Sequence, residues 1–346
     1  MKILFVIDRI ELKYFEFNNL VTNFWMINEL LNRHYDVFIT TIDKLSLYNK
    51  IPYSSCSKAF CKSGNIFYEK EFKKVDINGF DAVIFRPDPP VDLDYINATY
   101  IIDFATNPVK INNTQAIRDF NEKLHAVNFI EFMPPNLVSA SIFDIESFLK
   151  EHKEIILKPL NRCFGSGVMY LYDGDPNTRS IINTLTNNGT SVVMVQKYIP
   201  AVKQGDKRVL ILGEEVLDEC IMKLPSSDDF KFNTHDDNYI RKAVLTQQEK
   251  ENFKIVAKKL NALGIYMAGL DVIDGQIIEV NVTSPCYFIK EINNYFNNLD
   301  VQTEINNKLD AMVLDGSLSR LVKPFFDENI VDNSVIDPVK AAMSYV

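Results

Sequence analysis

The chain opens with a short unbroken apolar run, Lys2–Ile7 (KILFVI), the pattern of a parallel strand buried on both faces. Residues 15–31 then place Phe17, Leu20, Val21, Phe24, Ile27, Leu30 and Leu31 at three-and-four spacing, which predicts a helix packed on a sheet. YDVFITT (35–41) and DAVIFR (81–86) read as the next strands, the latter stopped by Pro87-Asp88-Pro89-Pro90. Strand, helix, strand implies a right-handed crossover and an open, Rossmann-like α/β sheet in the first third. The stretch 44–79 shows no clear period and is expected to be irregular.

The pattern changes after residue 150. EIILKPL (154–160), GVMYLY (167–172), SVVMVQKYI (191–199), RVLIL (208–212) and EVLDECIMKL (215–224) are closely spaced apolar runs that predict antiparallel sheets with few helices. One helix is signalled strongly. Thr246 and Glu249 form a capping box, in which a hydroxyl and a carboxylate satisfy backbone N–H groups that the first turn leaves unpaired. Its buried stripe is predicted as Phe253, Val256, Leu260 and Leu263, with Gly264 as the stop. Residues 317–346 carry two prolines and no strong period, and read as an appended tail.

With 346 residues the chain is long enough for two or three lobes. A net charge of −9 argues against a nucleic-acid partner, which would need a basic face, yet leaves room for a local cationic cleft. No run reaches the roughly 18 apolar residues of a membrane span, so no membrane partner is expected. The five cysteines, Cys56, Cys61, Cys163, Cys220 and Cys286, lack CxxC spacing and suit reduced thiols in the cytoplasm.

Three segments carry candidate chemistry. In Gly269–Asn281 two apolar runs flank a turn at Asp274-Gly275, with Asp271, Glu279 and Asn281 in or beside them. Glu279 and Asn281, two apart, share one face. A two-residue hairpin would pair Asp271 with Ile278 and put Glu279 on the other face; a three-residue loop or a bulge would set Asp271 across from Glu279. Three hard oxygen donors on one face would suit Mg²⁺, whereas separate solvated acids on an edge hairpin would not. Lys158 closes an apolar strand and is followed by a turn containing Gly165, Ser166 and Gly167, which could cradle a phosphate or be a plain surface turn. Gly205-Asp206-Lys207-Arg208 precedes a strand, as a charge pair feeding a site or a solvated turn would.

These segments, with Arg86–Pro90, Ala98–Tyr100, Asn121–Leu124, Asp173–Pro176 and Glu279–Pro285, resemble prokaryotic glutathione synthetases, a family of the ATP-grasp superfamily, in the same order. The resemblance implies an ATP-grasp fold of mixed α/β and α+β class. It would comprise an N-terminal open α/β domain (1–120), a small lid (121–200), a larger antiparallel metal-binding part (201–316) and the tail (317–346). It implies an ATP-dependent carboxylate–amine ligase that needs ATP and Mg²⁺ and takes small-molecule substrates. A homo-oligomer is compatible with it. By likeness Lys123, Lys158 and Arg208 are catalytic. Lys123 and Lys158 meet ATP phosphates with Gly165 and Ser166, and Lys158 also lies near the adenine. Gln196, Lys197, Tyr198 and Ile199 line the adenine, Asp206 lies at the ribose and Arg208 at the reacting phosphate. Asp271, Glu279 and Asn281 hold magnesium, and Arg86, Lys223, Asn233, Ser284 and Pro285 face the substrates.

The likeness breaks on the substrate side. The family closes a glycine-rich loop over the acceptor, but Ser226–Arg241 contains no glycine and carries Asp228, Asp229, Asp236 and Asp237. Lys223 stands where the family has arginine, and Arg162 and Phe164 where it has glycines. Three readings follow: glutathione synthesis from γ-glutamylcysteine and glycine; a related ligase with another acceptor amine; and a nucleotide-binding protein without catalysis.

Overall fold

The computed structural model of the chain describes residues 1–9, 21–163, 165–225, 239–297 and 299–315. Its first sheet follows the expected parallel core. β1 (Lys2–Ile7) lies between β2 (Asp36–Thr41) and a strand at Ala82–Phe85, with Ile3 opposite both Val37 and Ala82. A helix spans Thr22–Asn32 and buries Phe24, Ile27 and Leu30 of the predicted stripe together with Met26, which lies outside that stripe, while Val21 and Leu31 are only half-buried; residues 10–20 lie outside the described ones.

Residues 44–79 correct the expectation of irregular chain. They form β3 (Leu45–Tyr48), β4 (Ile51–Lys62), β5 (Asn65–Tyr68) and β6 (Lys73–Asp76), antiparallel strands that extend the first sheet from β2. The alternation is present in β4, but its inward positions include Pro52, Ser54, Cys56 and Ala59, so hydrophobicity does not reveal it. The sheet is completed by β7 (Ala82–Phe85) and β8 (Val109–Ile111) and runs in the order β3-β4-β2-β1-β7-β8.

A second, antiparallel sheet contains β9 (Asn136–Ser139), β10 (Glu154–Pro159), β11 (Met169–Tyr172) and β12 (Val193–Lys197), in the order β11-β10-β12-β9. Helices Ile142–His152 and Thr178–Leu185 cover one face of it. With helices at Ile289–Tyr295 and Val301–Asp315 as well, this half holds more helix than the strand-rich pattern predicts. The third sheet takes β13 (Asp206–Leu212), β14 (Glu215–Val216), β15 (Glu219–Lys223), β16 (Ile240–Val244), β17 (Met267–Ile273) and β18 (Gln276–Asn281). The run 215–224 is thus two strands, broken at Leu217–Asp218. The Thr246–Glu249 capping box is formed, and the helix Gln247–Ala262 buries Phe253, Val256, Ala257 and Leu260. Leu263 instead caps the helix and is exposed.

The first and third sheets share two hydrophobic clusters, one combining Leu4, Val83 and Phe85 with Val209, Leu270 and Val280. The second sheet has its own, built on Ile145, Leu149, Ile155, Leu157, Leu171, Ile182, Val193 and Val195. The side chain of Asn112 bridges the first and third sheets. Its amide nitrogen donates to the Met267 and Val282 carbonyls at 2.7 and 2.9 Å, and its oxygen accepts from the Tyr266 and Met267 N–H groups at 2.8 and 2.7 Å. Every hydrogen-bonding position of this buried amide is filled. Among the described residues no helix is long and apolar enough to cross a membrane.

Candidate active site

The hairpin β17–β18 resolves the register left open above. Its turn holds Asp274 and Gly275, both at positive φ (50° and 72°), the backbone that a two-residue turn between twisted strands requires. Ile273 pairs with Gln276 and Val272 with Ile277; then the register shifts, and Asp271 lies opposite Glu279. The tight turn and the bulge therefore occur together. Asp271 is also opposite Arg208 on β13, so Arg208, Asp271 and Glu279 form one row across three strands. Asn281, two residues past Glu279, is on the same face.

This row is densely charged. Arg208 grips Asp271 with two parallel hydrogen bonds, Nε to Oδ1 at 2.8 Å and Nη2 to Oδ2 at 3.2 Å. Lys223 lies 2.9 Å from the same Oδ1 and 2.9 Å from Asp206 Oδ2, and so bridges two buried carboxylates. Gly205 makes room for that bridge: at φ 118° a Cβ would come within 2.5 Å of Met222 Cγ and 2.8 Å of the Lys223 carbonyl. Burial alone would raise the pKa of Asp271, but the charges and hydrogen bonds of Arg208 and Lys223 hold it well below the usual carboxylate range. Burial, with the negative charge of Asp271, pushes Asp206 the other way, up to about 7. Among the described residues Asp206 Oδ1 is buried without a hydrogen-bond partner, an acceptor open to a ligand's donor.

Two lysines reach the row from outside its sheet. Lys123 donates to Glu279 Oε1 at 2.9 Å and to the Arg162 carbonyl at 2.8 Å. Burial opposes its charge, and Glu279 more than compensates and raises its pKa. Lys158, from β10, rests on the Ile278 carbonyl at 3.2 Å, with its pKa lowered chiefly by burial. Gln196 donates to the same carbonyl at 3.4 Å, so the second sheet faces β18 across a cleft. Beyond it Lys197 is exposed, and the Lys197 and Tyr198 N–H groups bond the Pro135 and Glu154 carbonyls. The Ile199 carbonyl accepts the Val202 N–H. In the turn after Lys158, the Ser166 N–H bonds the Cys163 carbonyl and the Gly165 carbonyl accepts from Val168.

On the other side of the row, Arg86 donates Nε to Asn23 Oδ1 at 2.7 Å and Nη2 to the Pro285 carbonyl at 2.8 Å. Ser284 donates to Asp88, whose pKa burial raises. Arg86, Ser284 and Pro285 thus meet beside the row, whereas Asn233 lies outside the described residues. Sequence reasoning assigned no role to Glu122. Its carboxylate takes the Val282 and Thr283 N–H groups at 2.7 and 3.0 Å and the Thr283 hydroxyl at 3.0 Å, fixing the turn after Asn281. Its only signal was its place in the Asn121–Leu124 stretch, where an acid beside a lysine reads as solvated charge.

The face offers oxygen donors suited to a hard cation, Asp271 and Glu279 carboxylates and the Asn281 amide. Two adjustments would be required. Arg208, Lys223 and Lys123 now neutralise the carboxylates, and the Asn281 amide turns its nitrogen, not its oxygen, toward Asp271 at 3.3 Å. A cation arriving with a polyphosphate meets both needs in principle, because the phosphate oxygens give the displaced ammonium and guanidinium groups new partners.

The model of the prokaryotic glutathione synthetase N-terminal domain matches residues 1–118, and that of the prokaryotic glutathione synthetase ATP-grasp domain matches residues 122–297. A glutathione synthetase of Neisseria meningitidis serogroup A is 36% identical over 297 residues, 83% of this chain and 92% of the relative. That of Salmonella typhi is 31% identical over 307 residues, 87% and 94% of the two chains. Among solved structures, D-cycloserine synthetase DcsG superposes with a TM-score of 0.61 at 14% identity, covering 90% of this chain and 99% of that one. D-alanyl-alanine synthetase A from Vibrio cholerae gives 0.58 at 13% identity, covering 91% and 99%. Both carry the ATP-grasp fold to this chain. The chain therefore belongs to the prokaryotic glutathione synthetase family, as an ATP-dependent ligase that forms C–N bonds.

Proposed function

We propose that the chain joins γ-glutamylcysteine to glycine at the expense of ATP, which becomes ADP and phosphate. The observation that carries this reading is the row Arg208–Asp271–Glu279, with Lys123, Lys158 and Lys223 converging on it in a protein of net charge −9. A carboxylate becomes an acylating agent only when one of its oxygens is made a leaving group. Transfer of the γ-phosphoryl group to that oxygen gives an acyl phosphate. The amine nitrogen then attacks the carbonyl carbon, loses a proton, and phosphate departs with the oxygen.

In this reading the residues mainly position charge, as phosphoryl transfer demands. Arg208 and Lys123 neutralise the phosphate oxygens, and Lys158 bonds phosphate near the adenine edge. Asp206 accepts a ribose hydroxyl on its unpartnered Oδ1. Gly165 and Ser166 sit beside the phosphates, and Gln196 to Ile199 line the base. Asp271, Glu279 and Asn281 would hold Mg²⁺, which supplies a Lewis acid for the γ-phosphate oxygens. Arg86 and the Ser284–Pro285 turn face the dipeptide, and Lys223 belongs to the substrate side of the cleft. The second sheet and its helices serve as the lid, residues 121–200, which in sequence follows the 1–120 part and precedes the 201–316 part. The free cysteines at 56, 61, 163, 220 and 286 support a cytoplasmic setting.

Lys223 and the four acids of 226–238 favour a second reading of the acceptor alone: an uncharged or cationic amine in place of glycine. Phosphate release with γ-glutamylcysteine, scored by product mass against glycine and glycinamide, decides between them. Glutathione as the faster product supports the first reading. The amide product forming faster supports the second, and no turnover with either refutes the assigned dipeptide substrate.

A further inference from the structure

The two faces of the second sheet are unlike. One packs Ile155, Leu157, Leu171, Val193 and Val195 against Ile145, Leu149 and Ile182 of the helices. Among the described residues no helix covers the other. Residues directly opposite one another on neighbouring strands share a face, so the register writes a row across it: Tyr170, Ile156, Gln196, Asn136. Lys158, two residues past Ile156, belongs to the same face. Both Lys158 and Gln196 touch the Ile278 carbonyl, which fixes the bare face as the one turned to β18.

Tyr170 is held on this face at both ends. Its hydroxyl donates to the Glu154 carboxylate. Its ring meets that of Tyr198 edge-on, with centroids 4.9 Å apart and planes at 63°. Tyr198 is itself among the residues proposed to line the base, and its own N–H is tied to the Glu154 carbonyl. Glu154 therefore anchors the strand exit through its backbone and the Tyr170 ring through its side chain. A ring fixed in this way loses little freedom on meeting a flat ligand, and such a ring is worth most beside another π system.

We propose that Tyr170 is a specificity-determining residue for the nucleotide base, its ring held by Glu154 against Tyr198 to form an aromatic wall of the cleft. This inference rests on the nucleotide-site reading above. Tyr170 acts on the base and not on the phosphates, which belong to Lys123, Lys158 and Arg208.

Titrations of the full-length protein with ADP and with inorganic tripolyphosphate test it, alongside KM and kcat for ATP. Tyr170→Ala and Tyr170→Leu should each weaken ADP roughly three- to tenfold and raise KM for ATP by a similar factor. Tripolyphosphate affinity and kcat should hold. Tyr170→Phe keeps the ring and should restore most of the ADP affinity; Glu154→Gln should fall between. Unchanged ADP affinity in both Tyr170→Ala and Tyr170→Leu overturns the proposal, as does an equal loss for ADP and tripolyphosphate, which marks a structural role. Lys158→Ala separates the two readings. If it weakens ADP while the Tyr170 variants do not, only the aromatic wall fails; if it changes nothing, the nucleotide site fails and takes the wall with it.

Discussion

Asp271 is the residue on which the cleft's charge balance turns. It neutralises Arg208 and Lys223 together, and all three are buried. Removing one member of such a cluster leaves like charges facing each other in a poorly solvated place, a loss of about 3–5 kcal/mol. Asp271→Asn keeps the shape and removes the charge. Urea unfolding without nucleotide should therefore show a loss of about 3 kcal/mol, and ligation should fall by at least about a hundredfold. Adding ADP should recover more stability in the variant than in the parent, because phosphate supplies the missing negative charge. Equal stabilisation of the two proteins by ADP would mean that the phosphates bind elsewhere. Legibility at this scale was uneven. Asp271, Glu279 and Asn281 were visible as a set, but their common face depended on a bulge at Ile278, and no side chain there announces one. Lys123 lies 156 positions from Glu279, so only the resemblance brought it to the site.

Single elements were legible where local signals agree with burial. The helix Gln247–Ala262 is the clearest, because its cap, stripe and stop all lie between Thr246 and Gly264. Its first turn also carries a pH signature. Glu249 is buried, which by itself raises its pKa, but hydrogen bonds from Lys207 at 2.8 and 2.7 Å and from the Thr246 N–H bring it below the ordinary value of 4.5. A carboxylate with a lowered folded pKa contributes stability that is complete above its unfolded pKa and disappears as pH falls through the folded one. Glu249→Gln should thus cost about 1 kcal/mol at pH 7, with the difference from the parent shrinking as pH drops below about 4.5. A gap in unfolding free energy that persists at pH 3 would show that packing, not charge, accounts for it. β4 marks the opposite case. Its inward residues are small or polar, so its pairing is set by neighbouring strands rather than by its own composition.

For the whole molecule, the question is which parts hold together. Family resemblance anticipated an ATP-grasp chain, but nothing local marks Asn112 as the joint between first and third sheets. Its partners lie 154 to 170 positions away, and an asparagine beside a strand reads as a turn residue. That joint, with two shared hydrophobic clusters, makes these sheets one cooperative body. The second sheet packs on its own cluster and meets β18 through the Lys158 and Gln196 hydrogen bonds. Its local stability should therefore be the lower of the two. Leu157, fully buried at its centre, offers a way to test this. Leu157→Ala removes about 2–5 kcal/mol from whichever unit contains it. If the sheet opens as a unit, hydrogen exchange should accelerate across residues 136–197 alone, while the Val209–Ile211 and Leu270–Val280 amides keep their protection. If the nucleotide binds as proposed, across both sides of the cleft, ADP should slow that exchange again, stabilising the bound form by about 2.7 kcal/mol at a hundred times its Kd. Exchange that rises equally in all three sheets would instead mean that the molecule unfolds as a single unit, with the Lys158, Gln196 and Lys123 hydrogen bonds among the contacts that couple the second sheet to the rest.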